Sequence, residues 1–195
     1  MSKRIAIIQG HPDARGNHFG HALSAAYAQG ASETGHEIRV IDVAQMQFPL
    51  LRTQEDFEKG TPVDAIRQAQ ETIDWAQHLA IFYPLWLGTM PALLKGFFEQ
   101  VLRPGFAADE LEKDKMWKTR LNGRSARIII TMGMPALFYR WYFRAHSLKS
   151  LERNILGFCG IGPIRESLIG LVASGNDAAR EKWLSKMRSL GRDGR

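Results

Sequence analysis

Short apolar runs alternate with segments of helical period along the whole chain. Runs at 4–9, 37–42, 78–83, 126–131 and 164–171 have the length and the β-branched character of strands, and amphipathic segments separate them. Strands that alternate with helices form parallel sheets, because each right-handed crossover places its helix on a face of the sheet. The pattern predicts an α/β fold with a five-stranded parallel sheet, in the order 2-1-3-4-5, and helices on both faces.

The length and the cysteine content limit the class of protein. A chain of 195 residues suits one buried core, so we expect residues 1–195 to form a single domain. The longest apolar stretches are far shorter than the roughly 20 residues of a membrane-spanning helix. The single cysteine, Cys159, rules out an internal disulfide. We therefore expect a cytoplasmic protein.

The charge balance is basic but not patterned. Lysine and arginine total 26 against 20 acidic residues, which gives a formal net charge of +6. Such an excess can attract nucleic acid or anionic ligands. Many of the basic residues are scattered or lie near the C-terminus, and no nucleic-acid-binding motif is recognisable. The interpretation is a solvated basic surface, with no nucleic acid as partner.

Three loops are expected to meet at the carboxyl edge of the predicted sheet, at the switch point between strands 1 and 3. The first, residues 10–19, holds His11, Asn17 and His18 before a helix N-terminus, where free N–H groups and the helix dipole favour a phosphate. It lacks both Gly-x-Gly-x-x-Gly and the Walker motif, which disfavours nucleoside triphosphate hydrolysis. An ordinary turn with an asparagine cap is the alternative interpretation.

The second and third loops, residues 84–90 and 132–139, have different compositions. The second places large apolar side chains, including Trp86, at a strand end that would normally meet water. A flat aromatic ligand would account for them, and packing beneath the next helix is the alternative for Trp86. After the third loop, Tyr139 and His146 follow closely enough to donate a proton or a hydrogen bond to a reduced flavin or acceptor.

Other chemistries find little support in the sequence. No Ser/His/Asp or Cys/His arrangement is recognisable, and Cys159 has no basic neighbour to hold a thiolate. Hydride transfer needs no protein nucleophile, because a flavin supplies the chemistry. His11, His18 and His21 lie close together in the sequence but lack a partnering carboxylate or cysteine set at a diagnostic spacing. We therefore expect no metal site.

The most specific motif is Phe82-Tyr83-Pro84-Leu85-Trp86, followed by matching segments at 90–101 and 105–107. Shorter motifs lie at 10–13, 131–133 and 158–160. Together they resemble the flavodoxin-like NAD(P)H:quinone oxidoreductases, which include small bacterial NADPH-dependent reductases and the ancillary subunits of potassium-efflux systems. The resemblance covers most of the chain. It implies a flavodoxin-like fold, a non-covalent FAD or FMN, and NAD(P)H as hydride donor.

The resemblance also implies which residues contact the cofactor. Contacts with the flavin phosphate fall on His11, Asn17, His18 and Phe19. Contacts with the isoalloxazine ring fall on Pro84, Leu85, Trp86, Leu87, Thr131, Met132 and Gly133. The family's tyrosine and histidine near the hydride path correspond to Tyr139 and His146. The sequence departs from the family in two places: its glycine pair here reads Gly133-Met134, and the loop that holds His146 is shorter.

We therefore expect an NAD(P)H dehydrogenase (quinone)-type enzyme with a ping-pong mechanism, in which NAD(P)H reduces the flavin and a quinone-like acceptor then takes two electrons. Because related members form dimers with active sites at the interface, we expect a homodimer, with the aromatic run at 138–143 as a contact or acceptor-lining surface. The alternative is a flavin-binding regulatory subunit of a membrane ion-efflux system, in peripheral contact with the transporter and with secondary reductase activity. A one-electron carrier fits poorly, because such carriers are usually acidic.

Overall fold

The computed structural model of the chain describes residues 2–109 and 118–195. Its strands are, in chain order, β1 (Arg4–Gln9), β2 (Glu37–Asp42), β3 (His78–Pro84), β4 (Ala108–Asp109), β5 (Lys118–Thr119), β6 (Ser125–Thr131) and β7 (Ile164–Ile169). Five of them form one parallel sheet, and the two-residue strands β4 and β5 pair antiparallel in a second sheet. The predicted α/β fold with a five-stranded parallel sheet is confirmed.

The order of strands in the large sheet is β2-β1-β3-β6-β7. It differs from the predicted 2-1-3-4-5 because β4 and β5, which lie between β3 and β6 in the chain, were not expected. A two-residue strand has no periodicity that sequence inspection can recognise. The sheet order reverses direction between β1 and β3, and this is the point where parallel sheets of this kind open a crevice at their carboxyl edge.

Helices cover both faces of the sheet. They are α1 (Phe19–Glu33), α2 (Gln54–Lys59), α3 (Asp64–Trp75), α4 (Ala92–Val101), α5 (Ala136–Trp141), α6 (His146–Lys149) and α7 (Asp177–Arg192). A 3-10 turn, Val43–Gln45, follows β2, and α6 runs directly into a π-helical segment, Ser150–Gly157. In the part of the chain that the structure describes, no helix combines the length and apolar character needed to cross a membrane.

Alternate residues of the central strands enter two hydrophobic cores. On β1, Ile5 and Ile7 pack into the core that α1 and α7 cover, whereas Ala6 and Ile8 pack into the core that α3 and α4 cover. Side chains of a strand alternate between the faces of a sheet, so a strand covered on both faces is apolar at successive positions. This is the physical reason for the continuous apolar runs in the sequence.

Helices α1 and α7 pack with their backbones in contact, and two glycines permit it. A Cβ at Gly30 would lie 2.0 Å from the carbonyl oxygen of Arg188, and a Cβ at Gly191 would lie 2.1 Å from the carbonyl oxygen of Tyr27. Real Cβ atoms do not approach backbone atoms so closely, so any side chain at these positions must push the helices apart. The glycine pair therefore sets the distance of α7 from α1.

The short helix α2 lies in a stretch of the chain without a sustained hydrophobic period. The Thr53 side chain caps it by accepting a hydrogen bond from the Asp56 N–H at 3.0 Å. Helix α2 buries no residue, which explains its lack of an apolar period. Helix α3 begins at Asp64, and Val63 occupies the cap position.

Candidate functional site

The loops that follow β1, β3 and β6 are joined by backbone hydrogen bonds at the carboxyl edge of the sheet. The Gly10 N–H donates to the Phe82 carbonyl at 2.7 Å, and the Leu85 N–H donates to the Thr131 carbonyl at 2.8 Å. A Cβ at Gly10 would lie 2.6 Å from a methyl carbon of Leu94, so a larger residue there would have to displace that side chain. The three loops predicted to converge do converge.

Three histidine rings cluster where β1 leads into α1. The ring of His11 stacks on that of His18, with 4.0 Å between centroids and 18° between planes, and lies 5.1 Å from the ring of His21. His11 is 7% exposed, and its Nδ1 accepts a hydrogen bond from the Asp13 N–H at 3.1 Å. Neutral His11 must then carry its proton on Nε2, which makes that atom a donor.

The charges of this loop are arranged around Asp13. Its carboxylate accepts hydrogen bonds from Arg15 at 2.5 Å and from His18 Nε2 at 2.8 Å, and these bonds hold the pKa of Asp13 well below its usual range. Burial, with His18 and His21 nearby, lowers the pKa of His11 to about 4. Burial also lowers the pKa of His21. At neutral pH the loop therefore holds an Asp13–Arg15 ion pair beside two neutral imidazoles.

The N-terminus of α1 opens onto the same loop. His18 is the cap residue, its backbone is extended, and its side chain makes no capping hydrogen bond. Its carbonyl accepts the N–H groups of His21 and Ala22, while the N–H groups of Phe19 and Gly20 belong to the first turn, which has no intrahelical acceptor. A Cβ at Gly20 would meet nothing within 4 Å. Open space, free donors and the helix dipole together favour an anion here.

The N-terminus of α1, with the histidine rings beside it, is called the anion cradle below. A first groove, of about 730 Å³, runs from this cradle to the start of α7. Its lining residues are Gly16, Asn17, His18, Phe19, His21, Ala22, Ala25, Val172, Ala173 and Arg180. Asn17 is exposed and Phe19 is half-buried, while Arg180 brings a cation from the first turns of α7. The groove can accommodate an anionic tail longer than a single phosphate.

The loop after β3 exposes apolar side chains. Trp86 is 50% exposed and Leu87 is fully exposed. The N–H groups of Trp86 and Thr89 donate to each other's carbonyl at 2.9 and 3.0 Å, which closes a two-residue turn whose φ angles are 46° at Leu87 and 80° at Gly88. Positive φ at both positions is typical of a type I′ turn, where leucine is uncommon. The turn presents a rigid apolar surface at the sheet edge.

This turn contacts the histidine cluster on one side and a second groove on the other. The ring of Trp86 meets the ring of His11 edge-on, with 6.0 Å between centroids. The second groove has a volume of about 430 Å³, and its lining residues are Trp86, Leu87, Thr89, Met90, Pro91, Ala92, Lys95, Ser147, Ser150 and Ile155. A largely apolar wall with a few hydroxyl groups suits a flat ring that carries polar substituents.

The loop after β6 offers its backbone to a ligand. The side chains of Thr131 and Met132 are buried, and the Met132 N–H and carbonyl are bonded to Ile169 and Val172 in and after β7. Gly133 is exposed, and a Cβ there would meet no described residue within 4 Å. Of the three residues expected to contact the flavin ring, Gly133 has the open surface.

The structure encloses one of the two expected proton donors. Tyr139 is 1% exposed; its hydroxyl lies 2.7 Å from Ser147 Oγ and accepts a hydrogen bond from the Leu148 N–H at 3.1 Å. It therefore does not face the second groove directly, whereas Ser147 lines that groove. His146 is exposed at the start of α6. The catalytic roles of Tyr139 and His146 stay predictions.

Sequence inspection missed several residues of this region. Ser147 and Ser150 follow His146 closely but match no motif, and the backbone after β7 that lines the first groove carries no distinctive residue type. His21 was noticed only as a neighbour of His11 and His18. Its position three residues after the cap of α1 was a usable signal, since that spacing places it on the first turn. Within residues 2–109 and 118–195, no group of side chains has the arrangement of a metal site.

The chain is similar to known proteins along nearly its whole length. The sequence model of a family described as having a flavodoxin-like fold matches residues 3–190. A protein of Haemophilus influenzae, named as an uncharacterized NAD(P)H oxidoreductase, is 27% identical over 182 residues, which cover 91% of this chain and 89% of that protein.

Two further relatives are similar over nearly their whole length. An FMN-dependent NADH:quinone oxidoreductase of Nitratidesulfovibrio vulgaris is 26% identical, with 91% of each chain covered. The solved structure of an NAD(P)H:quinone oxidoreductase from Methanothermobacter marburgensis superposes with a TM-score of 0.84 at 28% identity, with 100% of each chain covered.

Proposed function

The chain belongs to the flavodoxin-like fold family, and on that premise we propose that it is a flavin-dependent NAD(P)H oxidoreductase that reduces quinone-like acceptors. The observation that carries the proposal is the convergence, at one sheet edge, of an anion cradle at the start of α1, an apolar turn at Trp86 and the open backbone at Gly133. The relatives named above as NAD(P)H and NADH:quinone oxidoreductases support the reaction.

The residues present fit a flavin. The first-turn N–H groups of α1, with His11, His18 and Asn17, would hold the phosphate. The turn at Pro84–Leu87 and the backbone at Gly133 would hold the ring. When bound, the flavin supplies two-electron hydride chemistry, while the protein supplies position and electrostatics. Because the ring would lie against Trp86 and Leu87, its binding would also cover apolar surface that is otherwise exposed.

A proton route can be assigned to Ser147 and Tyr139. Tyr139 and Ser147 can each donate to the other, and when Tyr139, which accepts the Leu148 N–H, donates to Ser147 Oγ, the serine keeps its own proton. The Ser147 hydroxyl proton is then free to point into the second groove, where it would donate to the bound ring or acceptor. In this arrangement Tyr139 is a positioning residue behind Ser147, and His146 is the exposed residue that precedes Ser147.

The spectrum of the purified protein tests this function. With FMN bound, the protein is expected to absorb in the visible range, to bleach when NADPH or NADH is added without oxygen, and to regain colour when a quinone is added. The colour is lost when NADPH or NADH transfers a hydride to the flavin, and it returns when the reduced flavin passes two electrons to the quinone. A protein that stays colourless after incubation with FMN and with FAD would contradict the proposal, and so would a bound flavin that neither nucleotide reduces.

The choice between FMN and FAD depends on the first groove. The single phosphate of FMN would be held by the cradle, and Arg180, which lines the same groove, would hold the second phosphate of FAD. Arg180→Ala is expected to weaken FAD binding several-fold and to leave FMN binding unchanged, because a partly exposed arginine contributes a modest charge interaction. Titration of each flavin by fluorescence measures both affinities. Arg188→Ala, on the same helix outside the groove, is the control, and an equal loss for FMN and FAD would exclude this assignment.

We also propose that the protein is a homodimer. Exposed aromatic side chains on and after α5 support this, since Trp141 is 77% exposed and Tyr142 is 71% exposed, and such surface is typical of an interface. The family match over residues 3–190 supports a single flavin-binding domain. The regulatory alternative stays a prediction, because none of the relatives described above is named as part of an efflux system.

A further inference from the structure

His21 is the member of the histidine cluster to which no role has been assigned. Its ring lies 5.1 Å from that of His11 and 5.8 Å from that of His18, and it lines the groove that leaves the cradle. We propose that His21 binds the phosphate of the cofactor together with His11 and the first turn of α1, and takes up a proton as it does so. This inference rests on the flavin cofactor proposed above.

Both ring nitrogens of His21 are shielded from water, and neither has a hydrogen-bond partner among residues 2–109 and 118–195. Most buried polar groups in folded proteins are hydrogen-bonded, and an exception marks a place where a ligand or an ordered water completes the site. An imidazole has one donor and one acceptor when neutral, and two donors when protonated. A phosphate oxygen beside His21 would supply the acceptor that the protein itself does not.

The direction of the side chain is set by the helix. His21 is the third residue of α1, and helical side chains lean toward the N-terminus of their helix. Its ring therefore lies over the first turn, where the N–H groups of Phe19 and Gly20 are available. The same small volume thus holds helix N–H donors, the ring of His21 and the ring of His11.

The surrounding charges leave His21 neutral until an anion arrives. The charged and titratable groups that face this region from the β1–α1 loop, the end of β2 and α7 are His11, Asp13, Arg15, His18, Asp42 and Arg180. Asp13 is already bonded to Arg15 and His18. Burial outweighs the attraction of Asp42, so the pKa of His21 lies below its usual value. A phosphate dianion would favour the imidazolium and raise that pKa.

The sign of the pH dependence follows from this shift. If binding raises the pKa of His21, the complex holds more protons than the free protein at any pH between the two pKa values. Affinity for FMN must then fall as pH rises through that window. The second pKa of a phosphate ester is about 6, so from pH 6.5 upward the change in affinity reports on the protein.

His21→Phe tests the proposal, because it keeps a ring of similar shape and removes both nitrogens. At pH 6.5 the variant is expected to bind FMN about 10- to 100-fold more weakly, as for the loss of one hydrogen bond to a charged group. Its affinity for riboflavin, which lacks the phosphate, should equal that of the wild type. Between pH 6.5 and pH 8.5 its affinity for FMN should change less than that of the wild type. His36→Gln, at the opposite end of the sheet, is the control histidine.

A second measurement does not depend on the flavin ring. Calorimetric titration of the apoprotein with inorganic phosphate should show binding to the wild type and to His36→Gln, and none to His21→Phe. If His21→Phe does not fold, His21→Asn is judged by the same ratio of FMN to riboflavin affinity.

Three results would overturn the inference. The first is FMN binding by His21→Phe with wild-type affinity and pH dependence. The second is an equal loss for riboflavin and FMN, which would give His21 a packing role. The third is phosphate binding that the substitution leaves unchanged. Failure of the wild type to bind any flavin would instead contradict the proposed function itself.

Discussion

Gly30→Ala is expected to lower the free energy of unfolding by about 3 kcal/mol, which is the upper part of the range for overpacking a close-packed interior. The added Cβ would lie 2.0 Å from the carbonyl oxygen of Arg188 and less than 3 Å from two further backbone atoms of that residue. Backbone cannot yield as a side-chain end can, so α7 must move away from α1. Urea unfolding of the apoprotein measures the loss.

Gly20→Ala, on the same helix, is the matched control for stability. A Cβ at Gly20 meets nothing within 4 Å, so the change should leave the protein as stable as the wild type or up to about 1 kcal/mol more stable, because alanine favours a helix over glycine. If Gly30→Ala lowers the stability and Gly20→Ala does not, the loss can be attributed to the contact between α1 and α7. Equal unfolding midpoints for Gly30→Ala and the wild type would show that α1 and α7 do not pack backbone to backbone.

Gly133→Val is expected to weaken FMN binding about 100-fold without lowering the stability of the apoprotein. Its Cβ has open space on the ligand side of the loop, so the side chain costs nothing until a ring approaches. The bound ring would then have to shift from its place, at a cost of about 1–3 kcal/mol for an overfilled contact. Fluorescence titration with FMN, together with thermal unfolding of the apoprotein, gives both quantities.

Gly170→Ala provides the contrast for this loop. Its Cβ would lie 2.4 Å from the backbone nitrogen of Ala136 and 2.7 Å from the carbonyl oxygen of Met134. The substitution should therefore shift the loop after β6 and lower both the stability of the protein and its affinity for FMN. Wild-type FMN affinity in Gly133→Val would mean that the ring does not lie over Gly133. A loss of stability in that variant would mean that the surface at Gly133 is not open.

Much of the fold could be predicted from the sequence, because the burial of each strand shows in the apolar pattern of its own residues. Strands β1 and β2 were predicted to the residue, since Arg4–Gln9 and Glu37–Asp42 end at turn-forming residues. By contrast, α2 packs no apolar face into the core, and β4 and β5 are too short for a period. Their formation depends on caps and pairings that a hydrophobic pattern does not contain.

The candidate site was likewise predictable only in part. That the loops holding His11, Trp86 and Gly133 share one edge follows from parallel strands alone, because all carboxyl ends of a parallel sheet lie on the same side. The roles of individual side chains do not follow. Tyr139 lies within the expected segment, yet it is buried behind Ser147. In the part of the chain that the structure describes, the two ring nitrogens of His21 have no hydrogen-bond partner, and no motif marks this.

The amino-acid sequence by itself determined which segments are strands, that the sheet is parallel and covered on both faces, and which loops would meet. These properties depend on periodicity and chain connection, which are local. Only the tertiary structure decided that His11 stacks on His18, that Gly30 touches the backbone of α7 and that Ser147, not Tyr139, lines the second groove. Such contacts depend on the directions of side chains from elements distant in sequence, and small differences in packing decide between alternatives of nearly equal local energy.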